Sequence, residues 1–99
     1  MALEVIDETY TKGTYVMFRR TGVSESGRTL KFDVIAKEDN LRLGRVEWFG
    51  RWRKYTFRPL SMTVYEETCL GEIAEFIRGK TREHRAALAV AKAEEKARV

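Results

Sequence analysis

The sequence holds one cysteine, Cys69, and one histidine, His84. A single cysteine excludes an internal disulfide framework and every multi-cysteine metal site, and a single histidine removes the paired-histidine zinc motifs. Proline is equally scarce, with Pro59 alone, so no Pro-rich linker divides the chain. No apolar run approaches the ~20 residues of a membrane-spanning helix, so no membrane partner is expected. Met1 to Glu8 carries acids and no basic residue, so a secretory leader is not expected there. Seven glycines form no phosphate-loop pattern. What remains fits one domain over residues 1–99, with 43% hydrophobic and 34% charged residues, in the range of globular chains.

The net charge of +4 is unevenly placed. Residues 42–58 carry Arg42, Arg45, Arg51, Arg53, Lys54 and Arg58 against Glu47 alone, a local excess of +5. A basic patch of this kind favours acidic partners such as nucleic acid, nucleotides or an acidic protein.

The hydropathy pattern changes character along the chain. Leu3, Val5 and Ile6 suit an edge strand or a tail within residues 1–13. Thr14 to Arg20 is rich in branched and aromatic residues and reads as a strand. Thr21 to Gly27 is small and polar and reads as a hairpin loop. In Thr29 to Ala36, Leu30, Phe32, Val34 and Ala36 fall on one face and Lys31 and Asp33 on the other, the period of a half-buried strand. Lys37 to Asn40 is a polar turn. Leu43 to Phe49 and Trp52 to Arg58 form a hairpin, and Gly50-Arg51 fits a two-residue type II′ turn. That turn sets Phe49 opposite Trp52 and Glu47 opposite Lys54. It puts Val46, Trp48, Tyr55 and Phe57 on a core face, with Arg45, Glu47, Phe49, Trp52, Lys54, Thr56 and Arg58 on the other. The Glu47–Lys54 match is worth about 0.2–1 kcal/mol.

Pro59 ends the strand. Thr63 and Glu66 fit a capping box, unless Thr63-Val64-Tyr65 stays extended. Cys69, Leu70, Ile73, Ala74, Phe76 and Ile77 follow at helical spacing, so a core helix is expected over 64–79; Arg78-Gly79-Lys80 has the look of a C-terminal stop, and Gly79 either breaks two helices apart or merely bends one long helix. Residues 81–99 are Ala-rich with few large apolar side chains. This second helix has little to bury, which leaves fraying, self-association into a homo-oligomer, or projection into solvent. The fold class is therefore α+β: an antiparallel sheet of about four strands over residues 14–58, followed by one or two C-terminal helices.

Catalysis finds little support. Cys69 lies on the apolar stripe and reads as a buried small hydrophobe. His84 sits between charged residues of an exposed helix, and Glu72 and Glu75 face solvent. Asp7, Asp33 and Asp39 are scattered, and no spacing announces a metal site. The expectation is a non-catalytic protein with no cofactor.

The unusual stretch is Trp48 to Arg58. Arg45, Arg51, Arg53, Lys54 and Arg58 are placed to meet phosphates or base edges, and Phe49 and Trp52 to stack on bases. The same face suits protein binding, where Trp, Tyr and Arg dominate. The bland alternative packs Trp52 under the N-terminal strand or the C-terminal helix.

The run Leu43-Gly44-Arg45-Val46-Glu47-Trp48-Phe49-Gly50-Arg51-Trp52-Arg53-Lys54-Tyr55-Thr56-Phe57-Arg58-Pro59 continues through Thr63-Val64-Tyr65, Cys69-Leu70, Ile73-Ala74 and Phe76-Ile77. Together these residues resemble small uncharacterised bacteriophage and prophage proteins. Those proteins join a G-x-x-x-W-x-x-R-W-R-x-Y-x-F-x-P-like hairpin to an amphipathic helix. The resemblance transfers no catalytic or binding residue. It implies a phage-encoded accessory protein acting in the bacterial cytoplasm on nucleic acid, a host protein, or a small (cyclic) nucleotide that an oligomer would sequester.

Overall fold

The computed structural model describes residues 9–97. The strand expected from Leu3, Val5 and Ile6 lies outside the described residues. The elements are β1 (Thr9–Tyr10), β2 (Val16–Val23), β3 (Leu30–Ala36), β4 (Arg42–Phe49), β5 (Lys54–Pro59) and α1 (Glu67–Ala97). The class is α+β, with five strands rather than about four and one helix. Every neighbouring pair is antiparallel and the order is β1-β2-β3-β4-β5, a plain meander.

Local chemistry places each turn. Gly27 (φ 73°) and Asn40 (φ 59°) take left-handed backbone in the β2–β3 and β3–β4 turns, where Gly and Asn are the cheapest residues. The β4–β5 turn differs from the expected one. It spans four residues, Gly50 to Arg53, with Arg53 N–H donating to the Phe49 carbonyl at 2.9 Å and Arg53 at φ 54°. The register moves by two: Phe49 faces Lys54, Trp48 faces Tyr55 and Glu47 faces Thr56. The Glu47–Lys54 pair is not made. A shift of two preserves the face of every strand residue, so the two hairpin faces are as expected.

One face of the sheet holds the core. Val16, Phe18, Phe32, Val34, Val46 and Tyr55 pack there against Cys69 and Ile73 of α1. Phe76 stacks on Phe18 with ring centroids 3.9 Å apart and meets Phe32 edge-on at 5.0 Å. Leu70, expected in the core, is 48% exposed, because the helix turns Cys69 and Ile73 inward and Leu70 lies about 100° round from Cys69.

The helix begins where Glu66, not Thr63, caps it. Glu66 accepts from the backbone N–H groups of Cys69 and Thr68, while the Thr63 hydroxyl donates to the Leu60 carbonyl. The hydrogen bonds from Cys69 first and Thr68 second hold the Glu66 carboxyl below the usual range. A lowered carboxyl contributes stability above its unfolded pKa and loses it as pH falls through its folded pKa. Acidification below the ordinary glutamate range should therefore loosen the first turn of α1. In Glu66→Ala, amide hydrogen exchange at Thr68 and Cys69 should be fast at neutral pH and change little with acid beyond the intrinsic rate.

Of the two outcomes open at Gly79, the structure takes the single long helix: α1 runs unbroken through it. A helical glycine costs only about 1 kcal/mol relative to alanine. The contacts on both sides outweigh that: Phe76 is in the core, Lys80 reaches β1, and the Thr81 hydroxyl accepts from Tyr55 N–H at 3.1 Å, covering the edge of β5. Lys80 donates to the Tyr10 hydroxyl at 3.0 Å and pairs with Glu83 at 3.1 Å. Burial pulls its pKa down, but those hydrogen bonds and charges more than offset it and leave the pKa above the ordinary lysine value.

Glu72 also departs from expectation. Its carboxylate accepts the backbone N–H groups of Thr14, Tyr15 and Val16 at 3.0–3.1 Å and fastens the start of β2 to the helix. The carboxylate lies against Gly13, where a Cβ would collide with it. Charge-assisted hydrogen bonds are worth about 1.5–3 kcal/mol each, and water recovers part of that at a half-exposed site. Glu72→Ala should cost about 2 kcal/mol in urea unfolding, and Gly13→Ala should cost a comparable amount by displacing the same carboxylate.

Candidate functional site: the open face of the sheet

A helix of 31 residues extends about 46 Å, while eight-residue strands reach about 27 Å. The helix therefore covers one face of the sheet and runs past its end. Among the described residues, no helix or strand lies over the other face, although Ile35 at its far end is only 4% exposed.

Strand register decides what that open face carries. Arg19, Asp33, Arg45 and Arg58 form one row across β2 to β5. Lys31, Glu47 and Thr56 form the next row, and Phe49 with Lys54 the one after. Arg42 faces Ile35 at the far end. Six cations thus share the face with two carboxylates.

The carboxylates are engaged. Asp33 binds Arg42 at 3.0 Å; Glu47 binds Arg58 at 2.8 Å and Arg45 at 3.7 Å. Among the described residues, Arg19, Lys31 and Lys54 make no ion pair. Arg58 also lies over the Phe49 ring at 5.8 Å from its centroid.

The expected site residues separate into two groups. Arg45, Phe49, Lys54 and Arg58 lie on the open face. Arg51, Trp52 and Arg53 form the exposed tip of the β4–β5 turn, at the end of that face. Trp52 is 63% exposed, and its ring contact is Phe49, edge-on at 4.9 Å. Among the described residues, it packs under neither β1 nor the helix. The Arg53 carbonyl is held by the Arg85 guanidinium at 3.2 Å, so α1 steadies the tip.

Arg19, Lys31 and Arg42 were missed as site residues. The alternation of β3 already set Lys31 apart from the core side chains. Arg19 and Arg42 needed the register of β2 and β4, each of which carries an irregularity, between Arg20 and Gly22 and between Val34 and Ile35 of its partner ladder.

The titratable candidates lie elsewhere. Cys69 is buried; burial first, then the charges of Glu72 and Glu66, push its thiol pKa up, which makes it a poor nucleophile. His84 is half-buried rather than exposed, with its ring 4.5 Å from Trp48 and 6.4 Å from Tyr55. Among the described residues, no group of three or more His, Cys, Asp or Glu is arranged to hold a metal ion, and no helix is long and apolar enough to cross a membrane.

No protein-family profile matches the chain, and no solved structure matches it. The chain is similar to an uncharacterised 9.3 kDa protein of Acholeplasma phage L2, with 36% identity over 50 residues. The match covers 50% of this chain and 64% of the phage protein, a little under two thirds of that relative's length.

Proposed function

We propose that this chain is a non-catalytic, phage-type accessory protein that binds a phosphate-bearing ligand, nucleic acid, on the open face of its sheet and the tip of the β4–β5 hairpin. The observation that carries the reading is a sheet face over which, among the described residues, no helix or strand lies, with six cations beside two engaged carboxylates. Arg19, Lys31 and Lys54, which make no ion pair among the described residues, are placed to displace counterions from phosphates. Phe49 and Trp52 at the end of the face supply aromatic surface, and base stacking is worth about 1–3 kcal/mol per base. Similarity to a phage protein supports the phage context and, with it, action in the cytoplasm of a bacterial host. The G-x-x-x-W hairpin pattern supplies the scaffold: Gly44, Trp48, Tyr55, Phe57 and Pro59 build the ribbon, and Arg51, Trp52 and Arg53 its tip.

The test is binding of labelled single-stranded DNA, duplex DNA and RNA across a salt series. Trp52→Ala should weaken binding by about 1–3 kcal/mol without unfolding the domain. Arg51→Ala with Arg53→Gly should flatten the salt dependence, and glycine suits the left-handed backbone at position 53. Binding that ignores salt, or none at low salt, rejects the reading.

A second reading, a host-protein partner, draws on the projecting end of α1. Leu88 and Val90 are 48% and 59% exposed there. It requires a stoichiometric complex that survives nuclease and is lost in Leu88→Glu.

A further inference from the structure

The β2–β3 loop and the β4–β5 tip stand at the same end of the sheet, and α1 runs past that end. A groove lies between the β2–β3 loop and the strand ends. Its helix-side part, about 710 Å³, is lined by Ser24, Ser26, Arg28, Thr29, Trp48, His84 and Leu88 among others. Its other part shares Ser24, Ser26, Thr29 and Trp48, carries the exposed Glu25, and opens beside Lys31 and Glu47 on the open face. The groove therefore passes round the end of the sheet, from the basic face to the helix side.

Few groups in it are free to meet a ligand. The Ser24 hydroxyl accepts from Thr29 N–H at 3.2 Å and contacts the Ser26 hydroxyl at 3.1 Å, so these serines hold the loop. Arg28 is exposed and makes no ion pair among the described residues. Trp48 is half-buried, with His84 against its ring, and offers a partly exposed aromatic floor. One unpaired guanidinium beside an aromatic floor suits a phosphate followed by a base.

We infer that the nucleic acid bound here is single-stranded, and that it leaves the open face round the end of the sheet, with a phosphate at Arg28 and a base against Trp48 and His84. The inference rests on the nucleic-acid reading above and fixes which form binds. A duplex is stiff over about 150 base pairs and cannot turn round the edge of a sheet. A single strand can.

The experiment compares oligothymidylates of about 4 and about 16 nucleotides, lengths that bracket single-strand site sizes, with a duplex as long as the longer strand. Wild type and Arg28→Ala are titrated by fluorescence anisotropy, with circular dichroism as the folding check. The short strand fits within the open face and should bind both proteins within about twofold. The long strand should lose about five- to tenfold on Arg28→Ala, with the salt slope reduced by about 0.7. In Trp52→Phe, which leaves Trp48 as the remaining tryptophan, the long strand should quench the fluorescence and the short strand should not. Equal affinity of wild type and Arg28→Ala for the long strand, or a duplex bound as tightly as the strand, overturns the inference while leaving the open-face reading standing. Absence of binding to every probe at low salt removes both.

Discussion

Replacing Gly44 by alanine should destabilise the domain by about 2–3 kcal/mol, at the upper end of the usual cost of overpacking, and lower its melting temperature by roughly 10–20 °C. Gly44 lies in the middle of the sheet, between Val34 of β3 and Pro59 of β5. A Cβ there would stand 2.7 Å from the Phe57 ring and 2.9 Å from the Pro59 Cα, and closer still to the Arg58 carbonyl oxygen. Two of those three neighbours are backbone, so the collision is relieved only by parting β4 from β5. Phe57 cannot move alone either. Its ring packs edge-on against Tyr65 at 5.4 Å, and the Tyr65 hydroxyl donates to the Leu43 carbonyl at 2.9 Å. Gly50→Ala is the control: nothing stands within 4 Å of that Cβ, and the change should stay within about 0.5 kcal/mol. Urea unfolding of the two variants distinguishes a glycine needed for close approach from one that merely occupies a turn. A Gly44→Ala protein as stable as wild type would mean that the strands separate freely, and the pairing that places Arg45 beside Arg58 would lose its support.

Much of this fold is legible from period alone. The alternation of Leu30, Phe32 and Val34 against Lys31 and Asp33 identifies both the strand and its two faces. The hairpin faces are legible even though the turn is two residues longer than its Gly-Arg pair suggests, because parity is all that decides which side chains share a face. What failed depended on contacts between distant residues. Glu72 reads as a solvated helix residue because its partners, Thr14, Tyr15 and Val16, are 56–58 positions away. Gly79 leaves a stop and one long helix both open, because the local signal is real, and packing of Phe76, Lys80 and Thr81 against the sheet decides for the long helix. The hairpin portion of the site was legible as a basic aromatic cluster. Its extension to Arg19, Lys31 and Arg42 was not, because one helix covering one face of a meander is a fact of topology. Nothing in the composition of β2 or β3 announces that, among the described residues, no helix or strand lies over their outer faces.

Removing the three unpaired cations together, as Arg19→Ala, Lys31→Ala and Lys54→Ala, should weaken single-strand binding by roughly ten- to hundredfold and reduce the salt slope by about 2, at ~0.7 per phosphate contact. Stability should change little, since exposed charges away from buried networks contribute within about 0.5 kcal/mol. The paired cations behave differently. Arg58 and Arg45 share the Glu47 carboxylate at 2.8 and 3.7 Å, so a phosphate must compete with Glu47 for both. Glu47→Gln removes that competitor and a repelling charge at once. It should tighten binding several-fold and steepen the salt dependence, while costing no more than the ~0–1 kcal/mol of a surface ion pair. The opposite signs are the decisive feature. If the arginine–carboxylate contacts serve only to hold the sheet together, Glu47→Gln should lose stability and gain no affinity. If the open face is a phosphate surface held in check by its own acids, the same substitution should improve binding in a slightly less stable protein. Titrations of one oligonucleotide at three salt concentrations, with melting curves on the same samples, separate the two.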